Sequence, residues 1–319
     1  MRINAYPTAK PEERSVSSEA IKNTIRDIRE THGLDLHSFL LLRGGTLLWE
    51  EYFREGEKDR LHVLHSVSKS FTSTAMGLAQ AQGLLSLDNK LYDFFPEHSA
   101  LCDSDYKREV TLRHLLMMGS GFENRENEVL QGHGTDFVKG ALALPVIHKP
   151  GTVFNYYTLG TYLLSAVFSR VCPEGIHRYL RRKLLDPMEF GESNWNLDDF
   201  SIPMGGFGFY LSAYDLTRLG QLYLQEGVWE GQQLLPADYV REATAKQIDN
   251  APNENIDWRS GYGYQFWRND MGGYRADGMF GQYIIVLPEK DTVIVMTSML
   301  ENMQIPLTAI KTHLLPNIG

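Results

Sequence analysis

Apolar positions along this chain recur with two different periods. After a polar lead-in over residues 1–15, Ile21, Ile25 and Ile28 share one helical face behind the cap sequence Ser17-Ser18-Glu19, and Gly33 supplies a stop signal. Two apolar runs, 37–43 and 46–53, then flank the pair Gly44-Gly45, the pattern of a β-hairpin. From residue 66 the helical period takes over. It predicts a long helix over 66–85 and shorter ones over 111–118, 135–144, 157–171 and 175–185, punctuated by Pro145, Pro150-Gly151, Pro173 and Pro187. Ser212-Ala213-Tyr214-Asp215 reads as a capping box on a helix that ends near Gly227. Strand patterns follow at 262–267, 281–287 and 292–298, the last two joined by a turn at Pro288-Glu289-Lys290-Asp291, before a helical stretch over 305–315.

Helix and hairpin first, helices in the middle, strands and helix last: this order predicts one sheet built from both ends of the chain. The expected class is α/β (α+β), an antiparallel sheet flanked by terminal helices with an inserted helical region. The antiparallel hairpins argue against a doubly wound parallel sheet. The expected division is a sheet domain over 16–75 and 204–319 and a helical region over 76–203. No internal repeat, low-complexity tract or Pro/Gly/Ser-rich linker interrupts it.

Composition narrows the function. The 319 residues carry 31 Lys+Arg against 40 Asp+Glu, a net charge of −9, with 43% hydrophobic and 22% charged residues. That is an ordinary globular balance, and its acidity argues against nucleic acid or an anionic membrane as partner, leaving a small-molecule substrate. Cys102 and Cys172 are the two cysteines, too few for a disulfide scaffold or a thiolate metal cluster. The first residues lack an apolar signal-peptide core, and the longest uncharged stretch, 151–169, is too polar to span a bilayer. The expectation is a cytoplasmic protein, or a periplasmic or secreted one had a leader been removed.

Several chemistries are excluded by absence. There is no GxxxxGK[ST] loop, no GxGxxG after a strand, no HExxH and no GxSxG elbow. His62 and His65, three apart, can share a helical face, but no third ligand stands at metal-binding spacing nearby, so neither metal nor cofactor is expected.

Three segments carry candidate chemistry. Ser66-Val67-Ser68-Lys69 matches S-x-x-K, and so does Ser104-Asp105-Tyr106-Lys107. Ser104 lies in a charged segment without apolar periodicity, whereas Ser66 opens a helix with the stripe Val67, Phe71, Ala75 and Leu78. At a helix start Ser66 feels the positive end of the dipole, and Lys69 lies on the same face within reach of its hydroxyl. A desolvated Lys69 would lose its proton more readily and could act as a base. The second segment runs through Pro150-Gly151 into Tyr156, where a phenol beside Lys69 could ionise and serve as general base. The third, residues 274–282, places glycines on an edge strand whose backbone N–H groups could hold an oxyanion.

These segments, in this order, resemble the serine β-lactamase-like, penicillin-recognising family, and most of all its class C β-lactamases and their esterase and 6-aminohexanoate-dimer hydrolase relatives. Residues 64–73 look like the nucleophile segment, 110–121 (Val-Thr-Leu-Arg-His-Leu-Leu-Met-Met-Gly-Ser-Gly) like its T-x-x-H-L-L-x-x-x-S-G stretch, and 150–156 like the run into its second motif. Gly205-Gly206-Phe207-Gly208 through Ser212 and Asp215 resembles a later glycine segment and helix. The resemblance implies that Ser66 is the acylated nucleophile, Lys69 its proton partner and Tyr156 the general acid/base, with the N–H groups of Ser66 and Met279 as oxyanion hole. Thr158 stands where the family's Y-x-N motif has Asn, and Ala276-Asp277-Gly278 where β-lactamases carry K-T-G. With Gln282, whose Gly278-x-x-Gly281-Gln282 setting resembles the 6-aminohexanoate-dimer hydrolase branch, these are the expected substrate-binding positions. The implied function is a serine hydrolase of small esters or linear amides working through an acyl-enzyme. The alternatives are a β-lactamase or DD-peptidase, for which Arg275 would have to replace the missing cation, and a penicillin-binding-type protein that does not hydrolyse.

Overall fold

Ser17 accepts a hydrogen bond from the Ala20 N–H and opens α1 (Ser18–Arg26), with Ile21 and Ile28 fully buried and a wider π-type turn carrying the chain on through Asp27–Thr31. The computed structural model describes residues 5–31, 35–131, 136–251 and 255–319. The expected stop at Gly33 and helix start at Thr135 lie outside the described residues. β1 (Asp35–Arg43) and β2 (Thr46–Tyr52) form the anticipated hairpin, and Gly44 and Gly45 both take the positive φ that its two-residue turn requires.

The middle of the chain holds β3 (His62–Val63), α2 (Ser68–Ala81), α3 (Asp105–Glu109), α4 (Leu112–Leu116), α5 (Glu126–Leu130), α6 (Phe137–Ala143), α7 (Thr158–Val171), α8 (Gly175–Leu180), β4 (Asn194–Trp195) and β5 (Phe209–Leu211). Then come α9 (Ala213–Leu224), β6 (Val228–Trp229), β7 (Gln232–Gln233), α10 (Ala237–Thr244), β8 (Trp267–Asn269), β9 (Gly273–Gly278), β10 (Gln282–Leu287), β11 (Thr292–Met299) and α11 (Gln304–Ala309). The main sheet has the order β2-β1-β11-β10-β9-β8, and every neighbouring pair is antiparallel. The first hairpin thus pairs directly with the last strand, as the element order predicts.

Both faces of this sheet are covered. Phe39, Leu41, Tyr283, Ile285, Ile294 and Met296 pack under α1 and α11, while Leu40, Leu42, Ile284, Val293 and Val295 pack on the side of α9 and the helical region. Two buried faces explain why these strands read as continuous apolar runs rather than alternating ones. β3, β5 and β4 form a small separate sheet.

α2 departs from the predicted one-sided stripe. Val67, Phe71, Ala75 and Leu78 are buried as expected, but so are Ser68, Ser70, Thr72, Ser73 and Thr74. Hydroxyls on a buried helix need partners. Ser70 donates to the Gln265 carbonyl (2.7 Å), Thr72 to the Gly205 carbonyl (2.9 Å), and Ser73 bonds the Tyr239 hydroxyl (2.8 Å). The helix that carries the nucleophile segment is therefore tied on several sides. Among the described residues no helix is long and apolar enough to cross a membrane.

Candidate active site

Ser66 sits in a short 3-10 turn, His65–Val67, that leads straight into α2. It remains partly exposed, whereas Lys69, one turn further on, is only 1% exposed. The Lys69 Nζ donates to the Ser66 Oγ at 2.9 Å and to the Gly206 carbonyl at 2.9 Å. Among the described residues no carboxylate pairs with it directly; Glu126 and Asp277 act on it only as more distant charges, and burial wins, bringing its pKa down to about 7. Lys69 is thus poised to accept a proton near neutrality. The other S-x-x-K match has an ordinary structural use: the Ser104 hydroxyl accepts from the Lys107 N–H at the start of α3, and Lys107 Nζ donates to the Leu101 carbonyl.

Gly206 reaches Lys69 because it has no side chain. A Cβ there would lie 2.8 Å from Thr158 Cγ2 and 3.5 Å from Lys69 Nζ. The glycine segment 205–208 resembles the family's, but sequence reasoning gave it no role. In the structure it supplies the second acceptor that orients the lysine.

Tyr156 arrives on a loop held by its neighbours. The Asn155 N–H donates to the Met118 carbonyl, the Asn155 amide to the Phe122 carbonyl, and the Asn124 amide to the Tyr156 carbonyl, each at 2.8–2.9 Å. Met118 of the 110–121 segment, with Phe122 and Asn124 just after it, therefore cradles the tyrosine loop. The Tyr156 ring stacks on Trp267 (5.4 Å between centroids), and Lys69 Nζ lies 4.9 Å from its centre. Although the residue as a whole is half-buried, loss of water around the phenol pushes its pKa well up, and its hydrogen bond with Ser66 offsets only part of this. The expectation that Tyr156 ionises beside Lys69 is corrected accordingly. Burial favours the protonated phenol and the neutral amine.

The third segment meets Ser66 from the sheet. β9 lies second from the edge, not at it, but β8 pairs only with residues 273–275, so 276–278 present an open edge. Gly278 rests on the nucleophile turn. A Cβ on it would collide with the Leu64 carbonyl oxygen and sit 3.3 Å from the Ser66 nitrogen. Gly278, Met279, Phe280 and Gly281 close a turn through the bond from Gly281 N–H to the Gly278 carbonyl (3.1 Å). Phe280 takes a positive φ there and packs edge-on against His65. The backbones of Ser66 and of the Gly278–Met279 link are thus neighbours, as an oxyanion hole needs.

Two expected substrate contacts are already engaged by the protein. The Gln282 amide donates to the Ser298 (2.7 Å) and Met279 (3.2 Å) carbonyls and accepts from the Ser298 N–H, so it holds the turn. Asp277 points to the terminal-helix face, where Arg275 Nε (3.0 Å) and Trp258 Nε1 (2.8 Å) donate to it. Arg275 is completely buried, bonded also to the Asp257 carbonyl and lying over Trp258. It does not replace a cation in the cleft. Ala276 faces the α9 side with Ile284, and Thr158 opens α7 with its N–H donating to the Glu126 carboxylate (2.7 Å). Glu126, on a five-residue helix, was missed by the sequence reading; its charge acts on both Lys69 and Tyr156. His62 and His65 share no helical face, since His62 lies in β3 and His65 has a positive φ in the turn that follows.

An antiparallel sheet with helices on both sides, and a Ser-Lys pair facing a half-buried tyrosine at its edge, is the arrangement of the penicillin-recognising serine hydrolases. The chain belongs to the Beta-lactamase family, whose model matches residues 21–304. It is 25% identical to the 6-aminohexanoate-dimer hydrolase of Paenarthrobacter ureafaciens, with 93% of this chain and 81% of the relative covered. Among solved structures it is similar to EstCE1, described as a hydrolase with promiscuous acyltransferase activity (TM-score 0.75, 17% identity, 92% of this chain and 97% of the other). It is also similar to a penicillin-binding protein homologue from Caulobacter crescentus (TM-score 0.74, 15% identity, 92% and 95%). At these identities the two structures speak for the fold.

Proposed function

We propose that this protein is a serine hydrolase that cleaves small esters or linear amides through an acyl-enzyme on Ser66. The observation that carries the reading is the 2.9 Å contact between Ser66 Oγ and a buried Lys69 whose pKa burial lowers to about 7. The neutral amine takes the Ser66 proton as Oγ bonds to the acyl carbon, and the developing oxyanion is held by the N–H groups of Ser66 and Met279. Tyr156 passes its proton to the leaving oxygen or nitrogen and is reprotonated from Lys69, so the serine proton ends on the leaving group. Water then attacks the ester by the same path in reverse, releasing the acid and free Ser66.

Substrate preference follows from charge. With Ala276 in place of a cation and Arg275 enclosed, a substrate carboxylate lacks a charge-assisted hydrogen bond, a loss of about 10- to 150-fold. Glu126 instead gives the cleft negative charge, which suits neutral esters or amides with a free amino group. The 6-aminohexanoate-dimer hydrolase relative agrees with this reading. The test compares kcat/KM on a short nitrophenyl ester, an amino-terminal linear amide and nitrocefin. The ester or the amide is expected to lead; nitrocefin turning over fastest would put β-lactams first, and covalent capture of a fluorescent penicillin without turnover of any substrate would point to a binding protein.

A further inference from the structure

Away from the candidate active site, three buried side chains converge from separate parts of the chain. His37 comes from β1, Glu57 from the loop after β2, and His62 from β3. One ring nitrogen from each histidine and one Glu57 carboxylate oxygen all lie within 4.8 Å of one another. Glu57 Oε1 touches His62 Nε2 and lies 3.9 Å from His37 Nδ1, and the two imidazole rings are 5.3 Å apart.

The cluster is under-satisfied for its depth. Glu57 is 1% exposed, yet its Oε2 makes no hydrogen bond among the described residues, and His37 has only long contacts, Nδ1 to Glu57 at 3.9 Å and Nε2 to Asp35 at 3.4 Å. A buried carboxylate left this way is costly unless a positive charge meets it.

We infer that His37, Glu57 and His62 form a binding site for one divalent first-row metal ion of the zinc type. Two imidazole nitrogens and a carboxylate oxygen are a donor set that suits zinc. Zinc bonds of about 2.0–2.1 Å set tetrahedral ligands roughly 3.3 Å apart, within the 4.8 Å that encloses the three donor atoms here. The surroundings have the second layer that such sites use. His37 Nε2, on the far side of the ring from Nδ1, faces the Asp35 carboxylate at 3.4 Å, and Asp35 is itself paired with Arg54. Glu57 brings one negative charge to the ion, while Asp35, held by Arg54, orients His37. Such an ion would join β1, the loop after β2 and β3, and β3 runs directly into the turn that carries Ser66.

The test is titration of chelator-treated full-length protein with Zn2+, followed by calorimetry and thermal melting, and in parallel with Co2+, followed by its visible ligand-field spectrum. One saturable Zn2+ per chain is expected, with a rise in Tm on the order of 5 °C at a hundredfold excess over the dissociation constant, and an intense four-coordinate Co2+ spectrum. Glu57→Gln is expected to weaken Zn2+ binding at least tenfold. If that variant does not fold, Asp35→Asn, at an exposed position, is expected to weaken binding by about 10- to 100-fold. A wild-type protein with no saturable site, or a folded Glu57→Gln or Asp35→Asn variant that binds Zn2+ as tightly as the wild type, overturns the inference: the cluster would then be closed by protons alone.

Discussion

Replacing Gly278 by alanine tests whether the end of β9 and the nucleophile turn work as one unit. The added methyl would meet the Leu64 carbonyl oxygen, a backbone atom that no rotamer can move aside, and the Ser66 nitrogen at 3.3 Å. Gly278 does not have a positive φ, so the change adds a steric contact without backbone strain. Relieving that overlap means separating the two segments by on the order of 1 Å, since non-bonded atoms prefer about 3.5–4.0 Å. Overpacking of this kind costs about 1–3 kcal/mol of stability. The catalytic cost is larger, because the displaced groups are the proposed oxyanion donors and loss of one such donor costs about 10²–10³ in kcat. Ser66, Lys69 and Tyr156 all remain. The assay is steady-state hydrolysis of a short nitrophenyl ester beside a thermal melt. The expected result is a folded protein with a modestly lower Tm, nearly unchanged KM and kcat down at least a hundredfold. A variant that melts lower but keeps kcat within about threefold would refute the placement of the oxyanion hole at Ser66 and Met279.

Further outcomes are expected from single measurements. Ser66→Ala loses turnover by about 10⁴–10⁶-fold while its melting curve is retained, whereas Ser104→Ala leaves kcat unchanged; a residual rate above a tenth of wild type in Ser66→Ala would remove Ser66 from the nucleophile role. Tyr156→Phe lowers kcat by about 10²–10⁴-fold with little change in KM, and Tyr157→Phe, whose hydroxyl is buried without a hydrogen bond among the described residues, is silent. In the pH profile of kcat/KM, Lys69 must be neutral to accept the serine proton, so activity rises with pH through about 7 and is lost below it; a rate independent of pH between 5 and 9 would count against Lys69 as the base.

Much of this arrangement was written in local pattern. The hairpin followed from Gly44-Gly45, the α9 start from Ser212, whose hydroxyl does accept from the Asp215 N–H, and the pairing of the chain's two ends from element order. The proximity of Ser66 and Lys69 was legible because a helix fixes the geometry of residues three apart. What stayed hidden depends on long-range packing. Gly206 and Lys69 are far apart in sequence, and nothing local marks a carbonyl as a lysine acceptor. Glu126 sits on a helix of five residues, too short to show a period. The His37, Glu57 and His62 cluster follows no motif spacing, since a strand, a loop and another strand each contribute one member. Tyr156's protonation could not be read from its neighbour Lys69 alone, because burial acts on both groups and moves their pKa values in opposite directions.

Alternation along β9 has a consequence for how this scaffold can acquire new specificity. Positions 275 and 277 turn toward the terminal helices, where their opposite charges neutralise each other; positions 274, 276 and 278 turn toward the helical region and the nucleophile. Strengthening or weakening the Arg275–Asp277 pair therefore changes the underside of the sheet and reaches Lys69 and Tyr156 only as a more distant charge. A cation able to greet a substrate carboxylate has to enter at an even-numbered position, and Ala276 is the small residue that stands there. A change from the proposed preference to one for carboxylates would thus turn on this one position, and it is closed to the arginine next door by the pleat of the strand.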